Sequence, residues 1–488
     1  MSNATYIPKS EVVYKIFSDI CKIPRPSHHE EKIADYLCRF AKEHNLSFKR
    51  DQNNCVLISR ESNIQARGAK VTMLTHCDMV CVADDGIKYN PLTDGIAAVQ
   101  ENGWITAKGT SLGADNGIGM AMALAVMSDE KLECGPIDAL FTTNEEDGMS
   151  GAQMLDTVFF GNIKYILNLD SEDYDTITTG SAGAYIQEFH LSQNPAERAI
   201  SGAVDLEINI TGGLGGHSGV DIDKNRANCI LVMAEMLRNL SQNHNFDLIF
   251  LKGGSAAASI PSECSAKIGV SEYEKDRITA YMVESFSRLK NQYRSSDSGI
   301  KLGIREKNNA DGPAVDNKTA AETIETIAKT GAGVIETRKD GLPLTSNNIG
   351  IINLEPGNGK ITTHTRSFDD NTMRNYAEYL SKEFSKSGWG TKKIMESPAW
   401  VQEKETEFMK IVNQSFSDAA GFTPRPVEMH FVLEAGFFKE KYKDMEMASI
   451  GPRIQNPHST SERVEIKTIE SIWKVLIEIL YNLSRTDL

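Results

Sequence analysis

Three short apolar runs, Val71 to Leu74, Trp104 to Ala107 and Ile137 to Phe141, each give way at once to a polar, chemistry-bearing cluster. The clusters read Thr75-His76-Cys77-Asp78-Met79-Val80, Gly109-Thr110-Ser111-Leu112-Gly113-Ala114-Asp115-Asn116-Gly117-Ile118-Gly119 and Thr142-Thr143-Asn144-Glu145-Glu146-Asp147-Gly148. Continuous apolar runs of this length suit strands buried on both faces. Polar groups just past their ends predict a site at the edge of an open α/β sheet, where ligands bind. A fourth run, Tyr165 to Leu169, ends in the same way on Asp170.

Helical spacing appears first at Val13, Ile16, Phe17 and Ile20, and Pro24 and Pro26 interrupt it. Ser27 with Glu30 three residues on reads as a capping box for a second helix with Ile33, Tyr36, Leu37 and Phe40 on its buried stripe. His28 and His29, at that helix start, read as surface residues. The glycines from 109 to 119 permit a tight backbone, and Gly117 opens an apolar helix through Met120, Leu124 and Met127.

After Gly180-Ser181-Ala182-Gly183 the texture changes. Alternation at Leu206 to Ile210 gives way to a helix from Asn225 to Leu240, strands near Leu248 and Ile268, a helix near Tyr281, strands near Ile349 and Ile361, and a helix from Asp370 to Phe384. This β-α-β-β-α-β order predicts an inserted α+β domain on an antiparallel sheet. The expected division is 1–200 for the first part of an α/β catalytic domain, 201–392 for the insert and 393–488 for the rest of the catalytic domain. That last part carries helices over Glu405 to Phe416 and Thr468 to Leu483, with His458 in a loop between strand and helix.

With 488 residues the chain is too long for one core, and 40% hydrophobic and 24% charged residues describe an ordinary globular protein. No apolar run reaches the roughly 18 residues of a membrane span, and Met1 to Pro8 lacks a basic-then-apolar leader pattern, so a cytoplasmic location is expected. Eight cysteines at irregular intervals point to free thiols, with Cys77 and Cys81 as packing residues. Fifty-two basic against sixty-seven acidic residues give a net charge of −15. Such a balance disfavours nucleic acid and anionic membranes as partners and agrees with carboxylates gathered around cations.

The strand-end groups are imidazole and carboxylate without a paired thiol set, which suits zinc, manganese or cobalt. Asp78 lies two residues beyond His76 on the same face of an extended chain, where it can fix the ring's tautomer. Of the adjacent Glu145 and Glu146, one can bind metal while the other takes a proton from metal-activated water. Asp170 is a further strand-end acid, and His458 supplies the missing nitrogen in a set otherwise made of one histidine and three acids. The loop from Gly109 to Gly119 resembles a phosphate loop only superficially, because no Gly-Lys-Ser/Thr follows.

Together these segments, with Asn168-Leu169-Asp170-Ser171-Glu172, Gly215-Gly216-His217-Ser218-Gly219-Val220 and Pro457-His458-Ser459, resemble the aminoacyl-histidine dipeptidases (peptidase D, Xaa-His dipeptidases) over nearly the whole length. That family belongs to the dinuclear zinc aminopeptidase, aminoacylase and glutamate carboxypeptidase group. The resemblance implies a zinc-peptidase catalytic domain with a mixed central sheet flanked by helices, and an inserted lid and dimerisation domain. It implies one metal on His76, Asp115 and Asp170 and another on Asp115, Glu146 and His458, with Asp115 bridging. Three ligand carboxylates and a bridging hydroxide would balance two divalent cations, zinc first, manganese or cobalt as alternatives. Glu145 would be general base, Asp78 the orienter of His76, and His217 an electrophile from the insert, in many relatives supplied across a homodimer. A cis peptide after Asp115 is also implied. Arg366 matches an arginine that binds the substrate carboxylate in related dipeptidases, and Glu434 is a candidate for the free amino group.

Two departures bear on specificity. The family's usual Asn-Ala-Ile-Pro-Arg-Glu reads Ala258-Ser259-Ile260-Pro261-Ser262-Glu263, and a His and a Gly common after His-Ser-Gly-Val are Asp223 and Asn225. The expected activity is hydrolysis of unblocked dipeptides. The alternatives are a related amidohydrolase acting on N-acyl amino acids and an inactive metal-binding scaffold, the latter opposed by the presence of Glu145 and every ligand.

Overall fold

The computed structural model describes residues 9–65, 68–307, 312–403 and 405–487; the octapeptide read for a leader lies outside them. The chain divides into two compact units. The first runs to Gly180 and resumes over Val401–Glu428 and Glu434–Leu488; the second comprises Ser181–Trp400 and Met429–Leu433.

In the first unit an eight-stranded mixed sheet has the order Ser47–Arg50, Val56–Arg60, Ile137–Thr142, Val71–His76, Tyr165–Asn168, Glu446–Ser449, Thr176–Ser181, Arg425–Met429. Its centre is parallel: Val71–His76 pairs in parallel with both Ile137–Thr142 and Tyr165–Asn168, and Tyr165–Asn168 with Glu446–Ser449. These strands are covered on both faces, and nearly every residue along them is buried. Helix Ala114–Ser128 is buried almost all round, from Ile118 to Met127, as its unbroken apolar sequence requires. Helix Glu11–Cys21 packs on it and buries Val13, Ile16, Phe17 and Ile20, the predicted stripe.

Two expectations in this unit are corrected. Trp104–Ala107 does not enter the main sheet; it pairs antiparallel with Ala98–Glu101 and Arg463–Glu465 in a separate four-stranded sheet. Four residues with alternating burial make a half-exposed strand, and a partner from the far end of the chain completes it. His458 accordingly lies in the connection between the short strands Ile454–Gln455 and Arg463–Glu465, not between strand and helix.

The second unit is built on a nine-stranded sheet, with Lys301–Lys307 at one edge, Gly390–Ser397 at the other and Gly333–Thr337 paired off the path. The pairings through the sheet are antiparallel. Its own core joins helix Cys229–Ser241 to inward residues such as Leu206, Ile208, Ile268, Ile352 and Ile361. The helix begins at Cys229, later than the predicted Asn225, because Asn228 caps it, accepting from the amides of Ile230 and Leu231. Strand Gly183–Ser192 pairs along its length with Asn358–Ser367, so residues 181–200 go with this unit and the expected start at 201 falls too late. The simple β-α-β-β-α-β order is also incomplete, lacking helix Asn317–Thr330 and the strands Gly183–Ser192, Lys301–Lys307, Gly333–Thr337 and Gly390–Ser397.

Candidate metal centre

The parallel strands of the first unit all deliver chemistry past the same edge. His76 ends one, Glu145 and Glu146 follow the second, Asp170 the third, and the chain beyond Glu446–Ser449 leads to His458. Asp115 arrives by another route, at a break in the start of helix Ala114–Ser128, where its φ and ψ are −82° and 111°. The Asp115-Asn116 peptide is cis. Gly119 is required here, since a Cβ on it would lie 1.9 Å from Asn116 Oδ1.

Asp115 has its two oxygens turned to different partners. Oδ1 lies 2.9 Å from His76 Nε2, which is itself 3.3 Å from Asp170 Oδ1. Oδ2 lies 3.1 Å from His458 Nε2, which is 2.9 Å from Glu146 Oε2. One ligand atom each of His76, Asp115 and Glu146 lies within 4.8 Å of the others. All five residues expected as ligands are therefore brought together, with Asp115 between two His–carboxylate pairs.

The electrostatics call for cations. Desolvation and nearby Asp170, Glu434 and Glu146 push the Glu145 carboxyl well above its ordinary range, although His76 opposes them. Burial also raises Asp170 and Glu146, and burial with the charges of Asp115 and Asp170 carries Glu172 up to about 8. His76 is lifted despite its burial by Asp170, Asp115 and Asp78, and hydrogen bonds to Asp115 and Glu146 raise His458 to about 11. Among the described residues no lysine or arginine pairs with these acids. Glu146 Oε1 is buried without a hydrogen-bond partner. A donor set of imidazole and carboxylate, crowded and short of positive charge, fits divalent zinc, manganese or cobalt.

A match to the description Peptidase family M20/M25/M40 covers residues 73–482, spanning every one of these groups from His76 to His458. The chain belongs to this peptidase family. It is 31% identical over 473 residues to the cytosol non-specific dipeptidase of Escherichia coli (strain K12), covering 96% of each chain. Its fold is similar to that of the aminoacylhistidine dipeptidase from Vibrio alginolyticus, with a TM-score of 0.88 at 29% identity over 96% of each chain. An M20 family metallo-carboxypeptidase from Sulfolobus solfataricus shares the fold at a TM-score of 0.55 and 16% identity, covering 98% of this chain and all of that one. Membership makes the protein a hydrolase acting on peptide bonds, of a family that uses divalent metals. No helix among the described residues is long and apolar enough to cross a membrane.

Around the expected ligands of this M20 peptidase, the segment from Arg25 to Glu30 supports other loops rather than starting its own helix. Ser27 does not cap the helix Glu31–Glu43, which has no side-chain cap. Its hydroxyl donates to Asp78 Oδ2 at 2.7 Å, and Glu30 accepts from the Asn144 amide at 2.9 Å. Spacing alone cannot tell a capping box from two side chains that support other loops. Asp78, fully buried, also accepts from the amides of Glu145 at 3.0 Å and Glu146 at 3.2 Å. It thus ties the strand-end loop of His76 to that of the two glutamates. Its own contact with His76 Nδ1, at 3.5 Å, is longer than a hydrogen bond, so its hold on the ring is electrostatic.

Glu434 is buried in the first unit, accepts from Thr142 Oγ1 at 2.8 Å and leaves Oε1 without a partner; burial raises its carboxyl to about 8. In the second unit, His217 is exposed on the glycine-rich turn, where its ring packs edge-on to Phe431 and its amide donates to Asp221 at 2.9 Å. Arg366 is 3% exposed and has no carboxylate partner among the described residues; its contacts are Ser218 Oγ at 3.3–3.4 Å and His364 Nδ1 at 3.4 Å. Desolvation pulls its pKa down to about 9.

Proposed function

We propose that this M20 peptidase is a cytoplasmic, homodimeric dinuclear metallodipeptidase that cleaves unblocked dipeptides of the Xaa-His type. The observation that carries the reading is the division of Asp115 between His76 with Asp170 on one side and His458 with Glu146 on the other. A single carboxylate so shared suits a bridge between two divalent ions, zinc first and manganese or cobalt as alternatives. When bound, such ions lower the pKa of water and polarise the scissile carbonyl.

The chain's own groups then divide the work. Glu145, held up in pKa by burial, is the base that takes the proton from the attacking water and returns it to the leaving amine. Asp78 orients His76 and fixes the backbone of Glu145. His217, whose imidazole is held below its ordinary pKa by partial desolvation and by the charge of Arg366, is assigned to the charge that grows on the carbonyl oxygen. A guanidinium buried without an acid is costly, and an incoming carboxylate would satisfy it with two parallel hydrogen bonds, so Arg366 is assigned to the substrate C-terminus. Glu434, with one oxygen unpartnered, is assigned to the free amino group.

The Xaa-His preference follows the family resemblance and the Vibrio relative's name, whereas the Escherichia coli relative is called non-specific. The test is a dipeptide panel on metal-reconstituted enzyme, each substrate beside its N-acetyl form. Turnover confined to unblocked dipeptides supports a dipeptidase, and a preference for C-terminal histidine supports the finer assignment. Equal or better turnover of the N-acetyl forms would instead make it an amidohydrolase.

A further inference from the structure

Among the buried charges of the first unit, Arg25, 1% exposed, and Glu462, 2% exposed, have no oppositely charged side-chain partner among the described residues. Arg25 spends its guanidinium on main-chain carbonyls. Nη1 donates to Cys77 O at 3.1 Å and Asp78 O at 2.6 Å, and Nη2 to Gly113 O at 2.6 Å. Glu462 accepts four successive amides, Leu112 at 2.8 Å and Gly113 at 2.9 Å on Oε2, and Ala114 at 2.7 Å and Asp115 at 3.3 Å on Oε1.

The two meet on one peptide group. The carbonyl of Gly113 faces the guanidinium, and the amide of Ala114, the other half of the same unit, faces the carboxylate. Its dipole is gripped with favourable sign at both ends, and charge-assisted bonds in a dry site polarise one another. Gly113 is fitted to this arrangement: its φ is +68°, and a Cβ would come 2.6 Å from Arg25 Nη2. The same guanidinium holds the carbonyls just after His76, and Glu462 lies four residues beyond His458.

We infer that Arg25 and Glu462 are positioning residues that clamp the Gly113-Ala114 peptide and thereby set Asp115 against His76 and His458. The inference rests on the assignment of Asp115 as a metal ligand. Neutral caps could satisfy a helix start; a charge at each end of one peptide group beside a ligand stiffens the loop against displacement when cations bind.

The test uses the full-length apoprotein titrated with cobalt(II), followed by calorimetry and by visible absorption of the bound ion, with thermal melting as a control for folding. Variants are Arg25→Lys, Arg25→Met, Glu462→Gln and the Arg25→Met/Glu462→Gln pair, with Asp115→Asn as reference. Folded Glu462→Gln and Arg25→Met should bind cobalt about 10–100-fold more weakly, with altered absorption. Arg25→Lys, which keeps the charge but not the fork, should fall between them and the parent. Because both groups grip one peptide, the paired variant should lose at least about tenfold less than the product of the single losses. Arg25→Lys and Glu462→Gln that are folded, bind within about twofold of the parent and keep its spectrum would overturn the inference, whether or not Arg25→Met folds. If Asp115→Asn itself binds cobalt like the parent, the ligand assignment beneath the inference is what fails.

Discussion

Asp78→Asn is the sharpest probe of how the centre is held. The substitution is isosteric, so what changes is one oxygen for an NH2 group and the loss of a negative charge. Oδ1 of Asp78 takes the Glu145 amide, and Oδ2 takes the Glu146 amide and Ser27 Oγ. Whichever way an asparagine is turned, its NH2 faces one of those two backbone donors. One buried amide is thus left without an acceptor, at about 1–3 kcal/mol. Removing a group that orients a ligating histidine typically costs 10–100-fold in metal affinity, or about 1.4–2.8 kcal/mol. The sign of the pH dependence follows from His76. Asp78 is one of the groups that raise its pKa, so the variant's imidazole holds its own proton less tightly and competes less with metal at low pH. The affinity deficit should therefore be largest at alkaline pH and shrink on acidification. Calorimetric titration of apoprotein with zinc against a competing chelator at several pH values measures it, alongside far-ultraviolet circular dichroism. A folded Asp78→Asn protein with parental affinity at alkaline pH would refute the account of Asp78 as the tie between the two loops.

Glu145→Gln should leave metal content unchanged while lowering the rate at least about a hundredfold, as general-base steps supply 10²–10⁴; loss of metal by elemental analysis would exchange or merge the roles of Glu145 and Glu146. Amidation of the dipeptide C-terminus should raise KM strongly in the parent and little further in Arg366→Ala, and equal losses in both proteins would remove Arg366 from substrate binding. Burial, with Arg366 and Arg338, holds His430 down at about 4, and Ser346 Oγ lies 2.8 Å from its Nε2. Between that value and the unfolded pKa of about 6.5 the unfolded chain binds the extra proton, so stability should fall by about 2–3 kcal/mol as pH drops through this window. His430→Gln should flatten that acid limb in denaturant titrations, and an unchanged slope would mean that His430 is already protonated when folded. If the proposed dimer shares His217 between subunits, re-equilibrated mixtures of His217→Ala and Glu145→Gln should recover activity; proven exchange without recovery would confine His217 to its own chain.

The chemistry of the site was largely written in local pattern. Apolar runs ending on His76, Glu145 with Glu146, and Asp170 are strands whose ends carry the site, because burial on both faces demands unbroken apolar sequence and the polar groups can only follow it. The helix after Gly117 and the antiparallel insert were legible for the same reason: periodicity is a property of neighbours along the chain. Partnership across the chain is not. Ser27 and Glu30 have the spacing of a capping box yet serve Asp78 and Asn144, since a hydroxyl and a carboxylate bond whatever donor or acceptor the fold presents. Trp104–Ala107 looked like one more central strand, but its pairing with Arg463–Glu465 builds a separate small sheet. That pairing joins the strand preceding the Asp115 loop to the segment that holds His458 and Glu462. Sequence could propose that Asp115 bridges; only the tertiary structure decides which oxygen faces which histidine, because that choice depends on hydrogen bonds between segments some 340 residues apart.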